Sequence, residues 1–209
     1  MHPYLIRLGI PLAVQDFFLP YLQMDNGGNL LFDYRDGFEH YGMAYHRVPA
    51  SDHYWTAGDP LLCREVIITG SAMEAIAYLA LHRHRYPAMD GLLFLSTGNR
   101  INMPQLNRIR RYSKGKVCTL VFENSLLGHI ADLKIAAGIR KIPVAVFAEP
   151  DTRLHIRFRL QDYWFDADDF SLNRFEKVTG FRFAIRTAKS ISALTFLHQL
   201  KAGPFNPNL

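Results

Sequence analysis

The sequence predicts an α/β fold: a parallel sheet of about four strands with helices on both faces. Short apolar segments alternate with longer amphipathic segments between residues 64 and 148, which is the order of strands and helices in parallel sheets. The short segments are almost continuously hydrophobic, as is typical of strands buried on both faces. The pattern changes on either side of this region. We therefore divide the chain into a small N-terminal antiparallel β-rich module (1–60), a central α/β domain (61–150) and a C-terminal α+β extension packed on the same core (151–209).

The N-terminal module is predicted to be a small antiparallel sheet. Runs rich in aromatic and β-branched residues predict three short strands, at 30–34, 42–48 and 54–56. Asn26-Gly27-Gly28-Asn29 and Arg35-Asp36-Gly37 supply residues that favour tight turns between strands. Ala57-Gly58-Asp59-Pro60 then marks the junction with the central domain.

The central domain is predicted to contain four strands and three helices in alternation. The predicted strands are 65–69, 91–95, 116–122 and 142–147. The predicted helices are 71–84, 103–112 and 125–137, with Gly138 at a position where glycine commonly ends a helix. Because a helix separates each strand from the next, we expect all four strands to lie parallel in one sheet.

The C-terminal extension begins with a strictly alternating run, 154–160, which predicts a half-exposed strand. His155, Arg157 and Arg159 are expected on its exposed face. Later residues predict a second strand and a terminal helix, at 181–185 and 191–200.

Composition restricts the classes of function. Hydrophobic residues make up 49% of the chain and charged residues 21%, which is ordinary for a globular protein with a packed core. No apolar run approaches the ~20 residues that cross a bilayer, and the apolar run at 5–14 contains Arg7. We therefore expect a cytoplasmic protein with no membrane partner. Cys63 and Cys118 belong to no paired-ligand motif, so we expect buried thiols rather than a disulfide framework or a zinc finger.

Charge is distributed unevenly along the chain. The first 60 residues carry seven acidic and three basic side chains, whereas the remainder carries 21 basic and 12 acidic ones. No acid occurs between Asp90 and Glu123, an interval that holds six arginines and lysines. This asymmetry favours a polyanionic partner, and its alternative is an ordinary solvated surface. The candidate contacts to DNA or RNA are Arg100, Arg108, Arg111, Lys114 and Lys116 in this interval, with Arg157 and Arg159 in the later strand.

Two strand-to-helix junctions of the central domain carry polar residues of the types that catalytic and metal-binding sites use. The first runs Thr69-Gly70-Ser71-Ala72-Met73-Glu74-Ala75-Ile76, and the second runs Val121-Phe122-Glu123-Asn124-Ser125-Leu126-Leu127-Gly128. Open α/β sheets place their sites at the carboxyl ends of strands. We therefore expect Gly70 and Glu123 to lie close together at one edge of the sheet.

The two junctions resemble the signature motifs of the Toprim domain found in primases, topoisomerases and related nucleases. The first matches a Thr-Glu-Ser-Ala-Ile-Asp-Ala-Leu pattern of mobile-element primases, except that Gly70 stands where the family has its catalytic Glu. The second family motif is Asp-x-Asp followed by Gly, and here it reads Glu123-Asn124-Ser125 with Gly128. Ser96-Thr97-Gly98 matches the family's loop after the second strand. The resemblance covers about residues 62–148, extends more loosely to the N-terminal module, and implies a Toprim-like sheet.

The departures from the family pattern fall on the residues that carry its chemistry. An active Toprim site holds Mg²⁺ with the Asp-x-Asp carboxylates and uses the Glu in making or breaking phosphodiesters. Gly70 cannot act as an acid or a base, and Ser125 is a poor substitute for a carboxylate. Glu123 remains as a weak candidate ligand for Mg²⁺, with Glu74 nearby. We therefore expect a degenerate site without catalytic residues, cofactor or bound metal.

Glu74 and Ser125 also have structural interpretations, which we favour over metal binding. Ser71-x-x-Glu74 is a capping box, in which the Ser71 side chain caps the helix and Glu74 reaches back to the first amide. Ser125 is placed to cap the third helix in the same way.

Three functions stay open from the sequence. The first is a catalytically degenerate Toprim-like protein that binds nucleic acid, or serves as an accessory module to a replication or mobilisation protein. The second is a residual Mg²⁺-dependent nuclease or primase that uses Glu123. The third is a protein-interaction subunit that does not bind nucleic acid.

Overall fold

The structure is a computed structural model that describes residues 2–148 and 153–203 of the chain. Within these residues the protein is mixed α/β, with helices and three sheets. The predicted boundary between residues 150 and 151 lies outside the described residues.

The helices and strands follow the chain in this order. The N-terminal part holds α1 (Pro3–Arg7), α2 (Leu12–Phe18), β1 (Gln23–Met24), β2 (Leu30–Asp33), β3 (Phe38–Tyr41), β4 (His46–Arg47) and β5 (Trp55–Ala57). The central part holds β6 (Glu65–Thr69), α3 (Ala72–Leu81), β7 (Leu92–Ser96), α4 (Met103–Ser113), β8 (Val117–Val121), α5 (Leu126–Arg140) and β9 (Val144–Ala148). The C-terminal part holds β10 (Arg153–Phe158), β11 (Gln161–Asp166), α6 (Leu172–Thr179), β12 (Arg186–Ala188) and α7 (Phe196–Ala202).

The largest sheet has the strand order β12-β8-β6-β7-β5. Strands β12, β8, β6 and β7 run parallel, and β5 joins the outer side of β7 in the antiparallel direction. Thr69 at the end of β6 pairs with Val121 on one side and Ser96 on the other. The carboxyl ends of these three strands therefore meet at one edge.

Helices cover both faces of this sheet, as the sequence predicts. Ile67 of β6 points into a core formed with α3 and the N-terminal part. Its neighbours Val66 and Ile68 point into a second core, formed with α4, α5 and the C-terminal part. The strand residues are fully buried on both sides, which explains their nearly continuous hydrophobicity.

One predicted strand of the parallel sheet lies elsewhere. The segment 142–147 does form a strand, β9, but it pairs antiparallel with β10, in a separate sheet ordered β11-β10-β9. The fourth parallel strand is β12, which contributes only three residues beside β8. A short apolar run indicates a strand but not its neighbour, and β9 pairs with the next strand along the chain.

The C-terminal predictions are displaced by several residues. The segment 181–185 is irregular, with Ala184 at a φ of 54°, and the strand follows it. Strand β10 ends at Phe158, because Arg159 and Leu160 (φ 52° and 65°) form a tight turn into β11. Arg159 therefore lies in that turn and not on the strand face that the alternation predicts.

The N-terminal part forms an antiparallel sheet ordered β1-β2-β3-β4. The sequence does not predict β3. Within the predicted strand 42–48, residues 42–45 form a turn and only His46–Arg47 forms a strand, β4. Leu30, Phe32 and Tyr34 are fully buried in the core that also contains α3. The N-terminal sheet and the central sheet therefore share one core. None of the helices in the described ranges is long and apolar enough to cross a membrane.

Candidate nucleic-acid interface

Gly70 and Glu123 lie at the same edge of the central sheet. Gly70 directly follows Thr69, the last residue of β6, and Glu123 comes two residues after Val121, the last residue of β8; Thr69 and Val121 are paired in register. A Cβ atom built on Gly70 would lie 3.7 Å from Cδ1 of Phe122, the residue before Glu123. The expected closeness of the two junctions is therefore confirmed.

The two serines of the junctions cap helices. The Ser71 Oγ accepts a hydrogen bond from the Glu74 amide (3.1 Å), and the Ser125 Oγ accepts one from the Gly128 amide (3.2 Å). The Ser125 hydroxyl also donates to Oε1 of Glu123 (2.6 Å). The capping interpretation of both serines is confirmed, and Glu123 is held in place by one of them.

The Glu74 side chain does not complete a capping box, so that part of the interpretation is wrong. Its carboxylate accepts hydrogen bonds from the amides of Phe196 (3.1 Å) and Leu197 (3.2 Å). These are the first amides of α7, which packs against α3, and the first amides of a helix have no acceptor within that helix. Burial raises the pKa of Glu74. Glu74 is thus a capping residue for a distant helix.

Glu39 supplies the carboxylate at the first junction, although nothing in the sequence marked it. It is completely buried and accepts hydrogen bonds from the amides of Ala72 (2.7 Å) and Met73 (3.1 Å) at the start of α3. The Tyr34 hydroxyl donates to Oε2, and Nε2 of His46 lies 2.8 Å from Oε1. Glu39 and the buried Tyr41 both point inward on β3. Their two-residue spacing is the one feature of the sequence that could have placed Glu39 in the core.

A buried ion pair lies beside Glu123. The Nζ of Lys189, which follows β12, is 2.7 Å from Oδ2 of the fully buried Asp132 on α5. The two groups are in ion contact without an aligned hydrogen bond, and Oδ1 of Asp132 has no donor. The same Nζ donates to the backbone carbonyls of Glu123 (3.1 Å) and Phe122 (3.3 Å). An ammonium group therefore occupies the centre of this polar cluster.

Burial is the main electrostatic influence on the pair. It raises the pKa of Asp132 to about 6, although the attraction of Lys189 opposes the shift. Burial likewise lowers the pKa of Lys189. Across residues 2–148 and 153–203, no group of three or more His, Cys, Asp or Glu side chains is arranged to hold a metal ion. The carboxylates of this edge are committed to helix caps and to an ion pair.

The predicted basic residues do not form one surface. Arg100 follows β7 at the carboxyl edge and lies 3.8 Å from Asp52. Lys116 precedes β8 at the opposite edge, and its Nζ donates to the carbonyl of Pro60 (2.9 Å). Lys114 and Arg111 are exposed. Only Arg100 and Arg108 contact the segment 52–53, which joins the N-terminal sheet to β5.

The two later arginines belong to the three-stranded sheet. Arg157 forms an ion pair with Asp162 of the neighbouring strand (Nε to Oδ1, 3.0 Å). Arg159 extends over the ring of Phe181, 5.5 Å from its centroid. Among the described residues, neither arginine makes a hydrogen bond or an ion pair with the segment 52–53.

A cleft of about 390 Å³ separates the N-terminal part from α4. Its polar lining includes Asp33, Arg35, His53 and Arg108, and its aromatic lining includes Tyr21, Tyr54 and Tyr112. Nη1 of Arg108 donates to Nδ1 of His53 (2.8 Å). The Arg35 side chain makes no hydrogen bond or ion pair with the described residues. The cleft therefore combines two guanidinium groups with a wall of tyrosines.

Tyr54 and Tyr112 pack against each other in the tyrosine wall. Tyr54 and Tyr112 meet edge to face with ring centroids 6.3 Å apart. Burial, followed by the contact with Tyr112, raises the pKa of Tyr54 to about 12. The four-residue spacing of Arg108 and Tyr112 on a helix was the signal that could have joined them to one face. No sequence signal pointed to Arg35 or Tyr54, because their elements approach α4 only in the folded chain.

The exposed face of the three-stranded sheet carries a column of rings. Phe147, His155 and Trp164 are cross-strand neighbours whose centroids are 5.2 and 4.5 Å apart, with interplanar angles of 24° and 14°. The guanidinium of Arg153 lies 5.4 Å from the centroid of the Trp164 ring. Because Phe147 and Trp164 stack on opposite sides of it, the His155 ring is covered on both faces. No family model, no curated protein and no solved structure matches the chain.

Proposed function

We propose that the protein binds single-stranded nucleic acid without chemical turnover, and that the cleft beside α4 holds one nucleotide of the strand. The observation that carries the proposal is that Arg35 and Arg108 line one concavity together with Tyr54 and Tyr112. In this proposal the protein is an accessory module of DNA replication or mobilisation, with a degenerate Toprim-like sheet as its scaffold.

The side chains of the cleft match the two chemical parts of a nucleotide. Guanidinium groups donate paired hydrogen bonds to phosphate oxygens, and Arg35 has its donors free among the described residues. Tyrosine rings stack on or against bases, an interaction worth about 1–3 kcal/mol per base. A volume of about 390 Å³ falls in the ~300–1,000 Å³ range of small-molecule sites. Asp33 adds a carboxylate acceptor beside the cations, where it can meet an amino group of a base.

The carboxyl edge supports binding without turnover. Gly70 brings no side chain to the first junction, and the Glu123 carboxylate accepts a hydrogen bond from Ser125. The neighbouring Asp132 is paired with Lys189, whose ammonium would repel a divalent cation. Phosphodiester chemistry on two metal ions needs several free oxygen ligands at one point, and these residues do not supply them.

Fluorescence anisotropy with a labelled single-stranded oligonucleotide tests the proposal. We expect binding that weakens log-linearly with salt, with a slope of about −0.7 per phosphate contact. Arg35→Ala and Arg108→Ala should each weaken binding about tenfold, or about 1.4 kcal/mol. Arg111→Ala is the matched control, because Arg111 lies one turn from Arg108 on α4 and does not line the cleft. Equal losses in all three variants would overturn the assignment to the cleft.

The ring column favours a second function, docking of a protein partner. Phe147 and Trp164, which flank His155 on one sheet face, are 45% and 52% exposed, and exposed apolar patches of this kind often mark interaction sites. If no oligonucleotide binds at low salt with micromolar protein, this function takes first place. Phe147→Ser with Trp164→Ser should then abolish partner capture while Arg108→Ala leaves it unchanged.

A further inference from the structure

Cys63 and Lys116 form a close amine–thiol pair at the amino edge of the central sheet. Nζ of Lys116 lies 2.8 Å from Sγ of Cys63, a separation typical of hydrogen bonds to oxygen and short for the larger sulfur atom. The same Nζ donates to the carbonyl of Pro60 (2.9 Å), which fixes its direction. Cys63 itself is only 4% exposed. The hydrogen bond to Pro60 thus holds the Lys116 nitrogen in contact with the Cys63 sulfur.

The pair lies just below the protein surface. Cys63 ends a short turn in which Leu61 and Leu62 are 91% and 65% exposed, and its amide donates to the carbonyl of Asp59. Lys116 is partly exposed at the start of β8. Only this exposed turn separates the sulfur from solvent, so opening of the turn would admit a small oxidant such as hydrogen peroxide.

The second cysteine provides an internal comparison. Cys118 is 5% exposed, similar to Cys63, but its hydrogen-bond partner is the Ser113 hydroxyl, 3.9 Å from Sγ. Burial raises the pKa of Cys118 to about 11. The two thiols are similarly buried, but Cys63 has an amine in contact with its sulfur and Cys118 has a hydroxyl.

We propose that Cys63 and Lys116 are the site of a reversible oxidative cross-link, formed in the presence of a peroxide. The Cys63 thiol, whose Sγ donates to the Pro60 carbonyl (3.4 Å), first loses its proton to water. The resulting thiolate attacks hydrogen peroxide, which breaks the O–O bond and yields a sulfenic acid and hydroxide. The hydroxide takes one proton from the Lys116 ammonium. The freed amine then attacks the sulfenic sulfur, an N–S bond forms, and the sulfenic oxygen leaves as water. In sum, the thiolate, the ammonium and one peroxide give a sulfenamide and two waters.

The link would join the turn before β6 to the first residue ahead of β8. Both strands are in the centre of the parallel sheet, so the bond would fasten the amino edge and resist local opening there. Thiols reverse a sulfenamide by attacking its sulfur, which returns the amine and the thiol. The site is independent of the cleft and of the function proposed for it.

Mass spectrometry of the purified full chain after treatment with hydrogen peroxide tests this inference. We expect an intact mass lower by about 2 Da, the loss of two hydrogens, and its reversal by dithiothreitol. Trypsin should no longer cleave at Lys116 and should release peptide 48–64 joined to peptide 115–134. Cys118 should remain a free thiol in the same digest.

Two variants keep the test decisive. Lys116→Arg preserves the positive charge and the hydrogen-bond donors but is not a nucleophile, so Cys63 should proceed to sulfinic acid without a cross-link. Cys118→Ser should cross-link as the parent chain does. The proposal is overturned if Cys63 gains oxygen at the same rate in the parent chain and in Lys116→Arg, or if neither cysteine reacts before the protein unfolds.

Discussion

The carboxyl edge of the central sheet and the cleft beside α4 differ in how their polar groups are used. At the edge, Glu39, Glu74 and Glu123 each accept hydrogen bonds from the protein itself, and Asp132 is neutralised by Lys189. In the cleft, Arg35 and Arg108 keep donors that no described carboxylate takes. The edge has the composition of a site but serves to hold helices in place, whereas the cleft leaves its charge available to a ligand.

The largest expected effect concerns the ion pair at the edge. Replacing one partner, as in Lys189→Met, should lower the free energy of unfolding by about 3–5 kcal/mol, because it leaves Asp132 buried and unpaired. Lys189→Met combined with Asp132→Leu should recover the parent stability or exceed it by about 1–4 kcal/mol. Urea denaturation of the parent chain and these two variants measures both effects. If the free energy of unfolding of Lys189→Met lies within about 0.5 kcal/mol of the parent value, the pair is not desolvated.

The pH dependence of stability should report the same pair. The pKa of Asp132 is raised from 3.8 to about 6 in the folded protein, so the folded state holds its proton more tightly than the unfolded state. The contribution of Asp132 to stability is therefore complete below about pH 4 and is lost as the pH rises towards 6, by up to about 3 kcal/mol.

The control for this pH effect is Asp132→Asn, which cannot titrate. The stability of the parent relative to the variant should fall between about pH 4 and pH 6 and then level off. A constant difference over this range would mean that Asp132 titrates equally in the folded and unfolded chain.

Restoring carboxylates should convert the edge from a capping surface to a metal site. Gly70 has room for a side chain, since its nearest neighbours are ring carbons of Phe122 at ordinary contact distance, and Asp caps a helix as well as Ser does. We expect Gly70→Glu with Ser125→Asp to bind Mg²⁺ measurably tighter than the parent in a calorimetric titration. The matched control is Gly70→Gln with Ser125→Asn.

A separate assay of oligonucleotide cleavage and primer synthesis addresses turnover. The parent chain should neither cleave phosphodiesters nor synthesise primers with Mg²⁺ or Mn²⁺. Cleavage that disappears in Glu123→Gln would contradict the contrast between edge and cleft.

The sequence predicted the layers of the fold and the position of the edge, because hydrophobic periodicity reports burial directly. It placed β6, β7, β8 and the three central helices, and it brought Gly70 and Glu123 together. It could not assign β9 to the three-stranded sheet, since an apolar strand of five residues fits either sheet. The functions of Glu74, Glu39 and Lys189 depend on partners 33 to 123 residues away, a distance at which no spacing rule operates.

The tyrosines should contribute the smaller, base-dependent part of the affinity. Tyr112→Leu retains the apolar bulk and removes the aromatic face, so it should weaken oligonucleotide binding by about 1 kcal/mol without changing the salt slope. Tyr163→Leu, on the three-stranded sheet, is the matched control. Calorimetric or anisotropy titrations at several salt concentrations separate the two quantities, and a changed slope would mean that Tyr112 acts through the phosphates.

The most direct test compares Arg108→Ala with Arg111→Ala across salt concentrations, using one single-stranded oligonucleotide. If the cleft is the interface, Arg108→Ala weakens binding about tenfold and flattens the slope of log K against log salt by about 0.7, while Arg111→Ala changes neither. Identical small effects in the two variants would place binding on the general basic surface and not in the cleft. Absence of any binding by the parent chain at low salt would contradict the proposed function itself.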